Sequence, residues 1–346
     1  MSTWQDLKNN ARLRKIYEER LLITKCVREF FWSRGFVEAE TSISMRLPGQ
    51  EPYLNPIAIK LNNAASESQD FHLRTSPEYA LKKLLASGFQ KVFEIGKCFR
   101  NKEDFGGSHQ PEFTMLEWYR APGTLADIMD DTEKLFKEVM KKINKKEFTY
   151  RDKRIPVFVN WERASMKELF QKYLSVNLDD YLEPKNIFEL AKKLNYNVVE
   201  GEEYENIFFK IFLNEIEPKL GIEKPIFVYD YPAQMCSLSK LSADSRYAER
   251  FELYVGGLEV ANAFGELTDP SEQKKRLETD RDLRQKLGKE TWPVDEDFTR
   301  ALGELKSRGA EAGGVALGLD RMVILCTDAR DITETTFNSV KDQLDI

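Results

Sequence analysis

The chain has 346 residues, of which 41% are hydrophobic and 32% charged, a composition typical of a globular protein and not of a disordered chain. Its net charge of −6 argues against a broad nucleic-acid-binding surface, although a local basic patch would be compatible with it. No apolar run reaches the roughly 20 residues that span a bilayer, and the N-terminus lacks the apolar core of a signal peptide. Four scattered cysteines and only two histidines favour a cytoplasmic protein with reduced thiols, and disfavour a His-rich metal site or a Ser-His-Asp triad.

The N-terminal region predicts a long helix followed by a strand. Apolar residues recur at helical spacing over residues 11–34, and Gly35 is suited to end that helix. A short strand is expected next, over Phe36–Thr41.

A second helix and a hairpin follow in the sequence. Ser76 can cap the helix, and Pro77 suits its first position. Residues 91–100 and 112–121 have the pattern of two strands, joined by a loop rich in charge and glycine.

The rest of the chain returns from helices to strands. Residues 125–225 carry mostly charged helical patterns, and we interpret the basic run from Lys134 to Arg154 as a solvated helix face in preference to an RNA-binding patch. The elements expected after it are strands at 225–231 and 249–264, a helix at 271–287, and a glycine-rich strand that runs directly into an apolar helix at 313–326. Hairpins without βαβ alternation indicate an α+β fold rather than a doubly wound one.

Charged side chains on the first hairpin are suited to a nucleotide. The chain has neither GxxxxGK[ST] nor a strand-linked GxGxxG, so phosphates would have to be bound by side chains on a sheet. Alternation places Phe113, Met115, Glu117 and Tyr119 on one face of their strand, and Arg100 at the hairpin mouth could clamp a phosphate. A surface ion pair beside an aromatic core is an equally good interpretation of this hairpin alone.

The segment 249–266 groups acidic residues around a predicted tight turn at Gly256-Gly257. This turn would bring Glu252 and Glu259 opposite, or nearly opposite, each other. Opposed like charges destabilise a hairpin, and Mg²⁺ bound by one or two carboxylates and by substrate phosphates would remove that cost. Glu266 follows as a third acid. The alternative is that one of the two glutamates points to solvent.

The last glycine-rich segment, GGVALGLDRMVIL, places Arg321 at the start of a helix. Glycines let a ligand approach the backbone closely, and a second arginine facing a triphosphate would complete an electrostatic clamp. Alternatively, Asp320 caps the helix and Arg321 lies beside it at the surface.

Together these segments resemble the three motifs of class II aminoacyl-tRNA synthetases: GFVEAET near 35–42, FRNKE…HQPEFTMLEWYR near 98–120 and GVALGLDRMVIL near 313–325. The stretches TSPEYALKKLL and ELYVGGLEVANAFGELTD are similar to the lysyl subgroup. Motif 1 arrives by residue 41, which is expected to leave no room for an N-terminal anticodon-binding OB-fold, and Ala316 stands where lysyl synthetases usually have glycine. The whole chain therefore resembles the elongation factor P–(R)-β-lysine ligase family.

This resemblance implies a single α+β catalytic domain over 1–346, with a mixed, mainly antiparallel sheet flanked by helices, a helical insertion at about 125–225 and a homodimer formed through motif 1. The implied enzyme adenylates (R)-β-lysine or lysine with ATP and Mg²⁺ and transfers it to a lysine side chain of elongation factor P, with no role for tRNA. Two alternatives are a truncated lysyl-tRNA synthetase paralogue that charges tRNA or another acceptor, and a non-catalytic regulator that binds amino acid or ATP. Retention of Arg100, Glu252, Glu259 and Arg321 argues against the regulator.

Matching positions also imply the site residues. The amino-acid pocket would consist of Ser76, Pro77, Glu78, Glu117, Tyr119, Asn262, Phe264, Glu266 and Ala316, with Glu78 and Glu266 holding the substrate's ammonium groups. The nucleotide site would consist of Arg100, Asn101, Lys102, Glu103, Gln110, Glu252, Glu259, Val260, Gly318 and Arg321, with the two arginines catalytic and with Glu252 and Glu259 on the metal. The departures from the family pattern are Ser42 for proline, Lys102 for glutamate (with Glu103 next to it), Gln110 for asparagine and Ala263 for glycine.

Overall fold

Helices flank a large sheet in the computed structural model, which describes residues 3–344. The helices are α1 (Trp4–Asn9), α2 (Ala11–Trp32), α3 (Glu78–Ala86), α4 (Leu125–Lys142), α5 (Met166–Leu174), α6 (Pro184–Lys193), α7 (Tyr204–Glu215), α8 (Pro270–Lys286), α9 (Glu296–Ser307), α10 (Leu319–Cys326) and α11 (Val340–Leu344). The strands are β1 (Val37–Glu38), β2 (Ser44–Met45), β3 (Ile57–Asn62), β4 (Ser68–Leu73), β5 (Lys91–Phe99), β6 (Glu112–Arg120), β7 (Glu147–Tyr150), β8 (Lys153–Pro156), β9 (Glu162–Ser165), β10 (Ile226–Pro232), β11 (Tyr247–Val255), β12 (Leu258–Gly265) and β13 (Gly313–Gly318).

The long N-terminal helix predicted from the sequence is α2. The Asn10 side chain accepts hydrogen bonds from the backbone N–H groups of Arg12 (3.1 Å) and Leu13 (3.3 Å), which caps the first turn. Gly35 lies at φ 75°, a left-handed conformation that glycine adopts at little cost, and it turns the chain away from the helix. The strand that follows is shorter than expected, because β1 contains only two residues, which pair in parallel with β5.

The main sheet has eight strands in the order β1-β5-β6-β13-β12-β11-β10-β9. Only the β1–β5 and β10–β9 pairs are parallel, so the predicted mixed, mainly antiparallel sheet is confirmed. The two predicted hairpins are β5–β6 and β11–β12. The glycine-rich strand β13 pairs with β6 on one side and with β12 on the other, and it thereby joins the two hairpins.

Alternation along β6 separates the protein core from the opposite face of the sheet. Leu116 and Trp118 point into a core formed with α2, α4 and α10. Phe31 of α2 lies at its centre, with its ring centroid 4.7 Å from that of Phe93 and 5.1 Å from that of Trp118. Helices α3, α8 and α9 pack on the other face, around Tyr119. No helix within residues 3–344 combines the length and apolarity needed to cross a membrane.

The segment 125–225 contains more strand than the sequence predicted. Helix α4 begins with a capping box between Thr124 and Asp127, but the chain then forms the β7–β8 hairpin and contributes β9 to the main sheet. Arg151 and Asp152 adopt left-handed φ angles of 46° and 65° at the hairpin turn. The basic run from Lys134 to Arg154 therefore covers the end of a helix and a hairpin, not one helix face. Helices α5, α6 and α7 form a second core with β10 and β11.

Replacing the central aromatic ring of the core tests this packing. Phe31→Ala removes a side chain that is 0% exposed, so we expect the free energy of unfolding to fall by about 3–5 kcal/mol. The matched control is Phe158→Ala, because Phe158 is 49% exposed and its loss should change the free energy by no more than about 0.5 kcal/mol. Guanidinium unfolding of both variants measures the difference, and equal destabilisation would contradict the assigned core.

Candidate active site

A cavity of about 270 Å³ lies on the face of the sheet opposite the main core. Its floor is formed by residues of β6, β12 and β13, and its walls come from α3, the loop between β5 and β6, the start of α10 and the segment before β3. The predicted site residues on its surface are Ser76, Glu78, Arg100, Glu103, Gln110, Glu117, Glu259, Val260, Asn262, Phe264, Ala316, Gly318 and Arg321. Residues predicted from the sequence therefore make up much of the cavity lining.

The prediction that Glu252 and Glu259 oppose each other is wrong. Gly256 and Gly257 do form the turn, at φ 68° and 83°, but Glu252 pairs with Asn262 and Glu259 pairs with Tyr254. The register shifts between the Leu253–Ala261 and Tyr254–Glu259 pairs, which leaves Val260 as an extra residue in β12. Because of this bulge, Glu259 and Asn262 both face the cavity, although three positions separate them.

Glu252 is buried behind the cavity wall and already has partners. Its carboxylate accepts hydrogen bonds from the hydroxyls of Tyr231 (2.6 Å) and Tyr254, and it pairs with Arg250 at 2.5 Å. Burial and the nearby charge of Glu252 raise the pKa of Glu259, whose carboxylate lies on the cavity surface. Glu259 forms only a 3.6 Å ion pair with Arg321 and is therefore the more accessible acid, while Glu252 acts on it through its charge.

Arg321 reaches the cavity and does not lie at the surface beside a cap. Its guanidinium donates to the backbone carbonyl of Glu259 at 2.7 Å and contacts Nε2 of His109 at 2.8 Å. Asp320 does not cap α10, because its carboxylate accepts the backbone N–H of Thr114 at 2.7 Å and pairs with Arg20. The two neighbours thus have separate roles. Asp320 connects α10 to β6 by a hydrogen bond, and Arg321 lines the cavity.

Arg100 supplies a cation that is not paired with any carboxylate in the described part of the chain. Its guanidinium carbon lies 5.1 Å from the centroid of the Phe113 ring, and its buried Nε has no acceptor within residues 3–344. A buried donor without a partner is costly, so a phosphate or carboxylate at this position would be stabilised. Asn101 and Lys102 are exposed in the adjoining loop and do not line the cavity.

Glu117 forms the buried polar floor of the other end. Its two carboxylate oxygens accept hydrogen bonds from the hydroxyls of Ser76 (2.6 Å) and Tyr119 (2.8 Å). Burial, with the neighbouring charge of Glu78, raises the pKa of Glu117 to about 8. Tyr119 itself lies behind Glu117 and orients it without reaching the cavity.

Lys82, which sequence reasoning missed, connects two of the predicted acids. Its ammonium lies 2.5 Å from a carboxylate oxygen of Glu78 and 2.5 Å from Oε2 of Glu266, and the side chains of Lys82 and Glu266 are each only 1% exposed. The two carboxylates raise the pKa of Lys82, so the residue stays charged. Oε1 of Glu266 has no hydrogen-bond partner within residues 3–344, and Gly314 leaves room for it beside Tyr119. The i,i+4 spacing of Glu78 and Lys82 was the only signal in the sequence.

The remaining predicted residues lie near the cavity but not on its surface. Pro77 precedes α3, and Glu266 lies behind Lys82. Ala263, a departure from the family pattern, points into the main core, away from any ligand. The cavity residues that sequence reasoning did not assign to the site include Glu51, Leu54, Ser108, His109 and Ser237.

Comparison with known proteins agrees with this geometry. A family model described as "tRNA synthetases class II (D, K and N)" matches residues 2–340. The elongation factor P–(R)-β-lysine ligase of Proteus mirabilis is 34% identical over 338 residues, which cover 96% of both chains. That of Haemophilus influenzae strain PittGG is 35% identical, again over 96% of both chains. The chain belongs to the elongation factor P–(R)-β-lysine ligase family, within the class II tRNA synthetases.

Membership of this family explains why residues of motifs 2 and 3 meet at the cavity. Motif 2 supplies the end of β5, all of β6 and Arg100, and motif 3 supplies β13 and Arg321. The two motifs lie side by side because β6 pairs with β13. The lysine–tRNA ligase of Carboxydothermus hydrogenoformans is also 36% identical, over 95% of this chain but 66% of its own length. The shared class II core is therefore common to both groups of relatives.

The raised pKa of Glu117 gives a pH-dependent prediction for the substrate-free protein. The folded state holds the Glu117 proton to about pH 8, against about 4.5 for an ordinary glutamate, so its favourable contribution is complete at low pH and is lost as pH rises through 8. Glu117→Gln cannot titrate. We expect its free energy of unfolding, relative to the parent protein, to rise by on the order of one to a few kcal/mol between pH 5 and pH 8.

Denaturant unfolding at several pH values between 5 and 8 measures this difference. Glu189→Gln on α6 is the control, because its side chain is 63% exposed and pairs only loosely with Lys192, at 3.8 Å. A difference between Glu117→Gln and the parent protein that stays constant with pH would show that Glu117 is ionised throughout.

Proposed function

We propose that this chain adenylates (R)-β-lysine or lysine with ATP and transfers it to a lysine side chain of elongation factor P. The observation that carries this proposal is one cavity with two arginines at one end, where the Nε of Arg100 has no acceptor within residues 3–344, and with buried carboxylates at the other. Anionic phosphates suit the first end, and an amino acid with two ammonium groups suits the second.

The nucleotide end would act by electrostatics. Arg100 and Arg321 converge on the cavity from motifs 2 and 3, where they can stabilise charge that develops on the phosphates. Phe113 offers an aromatic surface beside Arg100. Gln110 lines the same end, and its amide oxygen has no partner among the described residues.

The Glu259 carboxylate on the cavity wall could bind a Mg²⁺ ion whose other ligands include the phosphates of ATP. No group of three acidic, histidine or cysteine side chains within residues 3–344 could hold a metal by itself. Mg²⁺ commonly takes only one or two carboxylates and completes its shell with phosphates and water, which agrees with Glu259 on the wall and Glu252 behind it. When bound, the ion would neutralise phosphate charge.

The amino-acid end is suited to a substrate with two amines. Glu78 and Glu117 line the cavity, and Oε1 of Glu266 lacks a partner in the described part of the chain. In the substrate-free protein the raised pKa of Glu117 keeps that acid protonated below about pH 8, but when Glu78, Glu117 and Glu266 are all ionised, Lys82 leaves two of their negative charges uncompensated. A lysine-type substrate brings two ammonium groups to match them.

The proposed reaction has two steps. A substrate carboxylate oxygen attacks the α-phosphorus of ATP, the bond to the bridging oxygen breaks, and pyrophosphate leaves. The neutral amine of an acceptor lysine then attacks the carbonyl carbon, an amide forms and AMP leaves, while the amine loses its proton to water. No protein side chain becomes covalently attached, so positioning and charge stabilisation supply the rate.

Elongation factor P is proposed as the acceptor because relatives named elongation factor P–(R)-β-lysine ligase match this chain over 96% of both lengths. Transfer to tRNA is the second candidate, supported by the identity to lysine–tRNA ligases. A homodimer through motif 1 is supported by apolar side chains exposed on α2 and β1, namely Leu21, Leu22, Trp32 and Val37. The cysteines of the described residues are all free thiols, which is consistent with a cytoplasmic location.

The direct test is lysine-dependent ATP–pyrophosphate exchange, followed by transfer. We expect exchange with lysine or (R)-β-lysine, and aminoacylation of elongation factor P but not of tRNA. Glu259→Gln should raise the Mg²⁺ concentration for half-maximal exchange by roughly tenfold or more, because the accessible carboxylate is lost.

Glu252→Gln is the matched variant, since it removes the buried partner of Arg250 and should lower the melting temperature as well. Absence of exchange with every lysine isomer would overturn the adenylation proposal. Efficient charging of tRNA would favour the synthetase alternative, and an unchanged Mg²⁺ dependence in both variants would remove the metal assignment.

A second prediction concerns Ala316. This residue stands between Glu117 and Asn262 in adjacent strands, and its methyl group lines the amino-acid end of the cavity. (R)-β-Lysine carries its amine one carbon further from the carboxylate than α-lysine. We expect Ala316→Gly to raise kcat/KM for α-lysine relative to (R)-β-lysine by roughly tenfold or more, the usual worth of one methyl group in a pocket.

The comparison requires both isomers with both proteins. If the parent protein already prefers α-lysine, or if the isomer ratio is the same in the glycine variant, Ala316 is a packing residue that does not select between substrates.

A further inference from the structure

Glu51 is an acidic residue of the cavity wall that none of the three motifs contains. It lies in the segment between β2 and β3 and lines the cavity, as do Leu54, Ser76 and Glu78. Its Oε2 is buried and has no hydrogen-bond partner within residues 3–344. A buried carboxylate oxygen without a donor is costly, so it must either be tolerated for structural reasons or be completed by a ligand.

The backbone around Glu51 is fixed by distant residues. Arg284 of α8 donates to the carbonyls of Glu51 (2.8 Å) and Leu54 (2.9 Å), and its guanidinium carbon lies 4.3 Å from the centroid of the Trp292 ring. Further anchors are Gln50 to the Trp292 carbonyl (3.0 Å), Lys289 to the Pro52 carbonyl (2.6 Å) and the Asn101 backbone to the Asn55 carbonyl (2.7 Å). These contacts fix the backbone that carries Glu51, and its Oε2 lies beside Gly49.

The Glu51 carboxylate forms no ion pair with a cationic side chain within residues 3–344, so it could bind a further cation. Burial and the charge of Glu78 raise its pKa, while Arg100 and Arg284 act in the opposite direction. Lys82 neutralises charge on Glu78 and Glu266 but forms no ion pair with Glu51. The guanidinium of Arg284 donates hydrogen bonds to backbone carbonyls and not to the Glu51 carboxylate.

We propose that Glu51 binds the substrate amine that lies nearest to the reacting carboxylate. This inference rests on the proposed lysine adenylation. Arg100 marks the phosphate end, where the substrate carboxylate reacts, and the positive charge of Arg100 acts on Glu51 as well as on the phosphate site. Glu266 lies beyond Lys82 and does not line the cavity, but its Oε1 has no hydrogen-bond partner within residues 3–344, so we assign the terminal amine of the substrate to this oxygen. Glu51 acts here beside Glu78, whose carboxylate is already paired with Lys82, and Glu266 recognises the other amine.

Analogues that lack one amine separate the two acids. 6-Aminohexanoate has no amine near its carboxylate, and norleucine has no terminal amine. We expect Glu51→Gln to weaken the binding of lysine and norleucine by about ten- to a hundred-fold, and that of 6-aminohexanoate by no more than about twofold. Glu266→Gln should weaken lysine and 6-aminohexanoate but spare norleucine. Titration calorimetry gives the dissociation constants, and exchange kinetics should show little change in the KM for ATP with Glu51→Gln.

Asp280→Asn is the matched control. Asp280 is a half-buried acid whose pKa is raised by partial burial and by the charge of Glu51, but it does not line the cavity. Its replacement should leave all three dissociation constants within about twofold if contact, and not general charge, explains the effect of Glu51. Melting temperatures identify any variant that is merely misfolded, and Glu51→Asp provides a second variant that keeps the charge.

Two results would overturn the role of Glu51. One is an equal loss of lysine and 6-aminohexanoate binding in Glu51→Gln, and the other is an equal loss in Asp280→Asn. Failure of the proposed function has a different signature, because the parent protein would then catalyse no lysine-dependent exchange. The calorimetric comparison of the amine analogues still decides the role of Glu51 in that case.

Discussion

The register of three adjacent strands decides where the charges of the cavity lie. In β6, β13 and β12, Glu117, Ala316 and Asn262 stand opposite one another in a single row on the site face. A shift of one residue in any pair would turn that side chain into the hydrophobic core. The core residues on the other face, among them Trp118 and Val315, therefore fix the site as firmly as they fix the fold.

Charges around this row fall into two groups. Some are compensated within the chain: Glu252 by Arg250, Glu94 by Arg74 at 2.7 Å, and Glu78 and Glu266 by Lys82. Others, such as Arg100 and one oxygen of Glu51, have no partner within residues 3–344. Leaving a buried charge without a partner costs several kcal/mol, which the internal pairs avoid. A charged ligand would therefore stabilise these unpaired groups more than the groups that are already paired.

The sequence predicted the positions of cavity residues well where they depend on local pattern, and poorly where they depend on distant contacts. Alternation placed Glu117 on the correct face, and the glycine-rich strand led correctly to Arg321. Glu252 and Glu259 do not face each other because the two-residue turn at Gly256-Gly257 already pairs Glu259 with Tyr254, and a bulge at Val260, which no local pattern marks, moves the partner of Glu252 to Asn262. Glu51 was missed because Arg284, 233 residues later in the chain, holds its backbone in place. Long-range contacts of this kind leave no periodicity in the sequence.

The departures from the family pattern have unequal consequences once their positions are known. Ser42 and Lys102 are exposed, and Ala263 points into the core, so none of these three can contact a ligand held in the cavity. Only Gln110 and Ala316 lie on the cavity surface, and Ala316 pairs with Glu117 across β13 and β6. A difference in amino-acid choice between this chain and lysyl synthetases must therefore arise at Ala316 or from wall residues outside the motifs. Glu51 belongs to that second group, because the segment that carries it lies between motif 1 and α3.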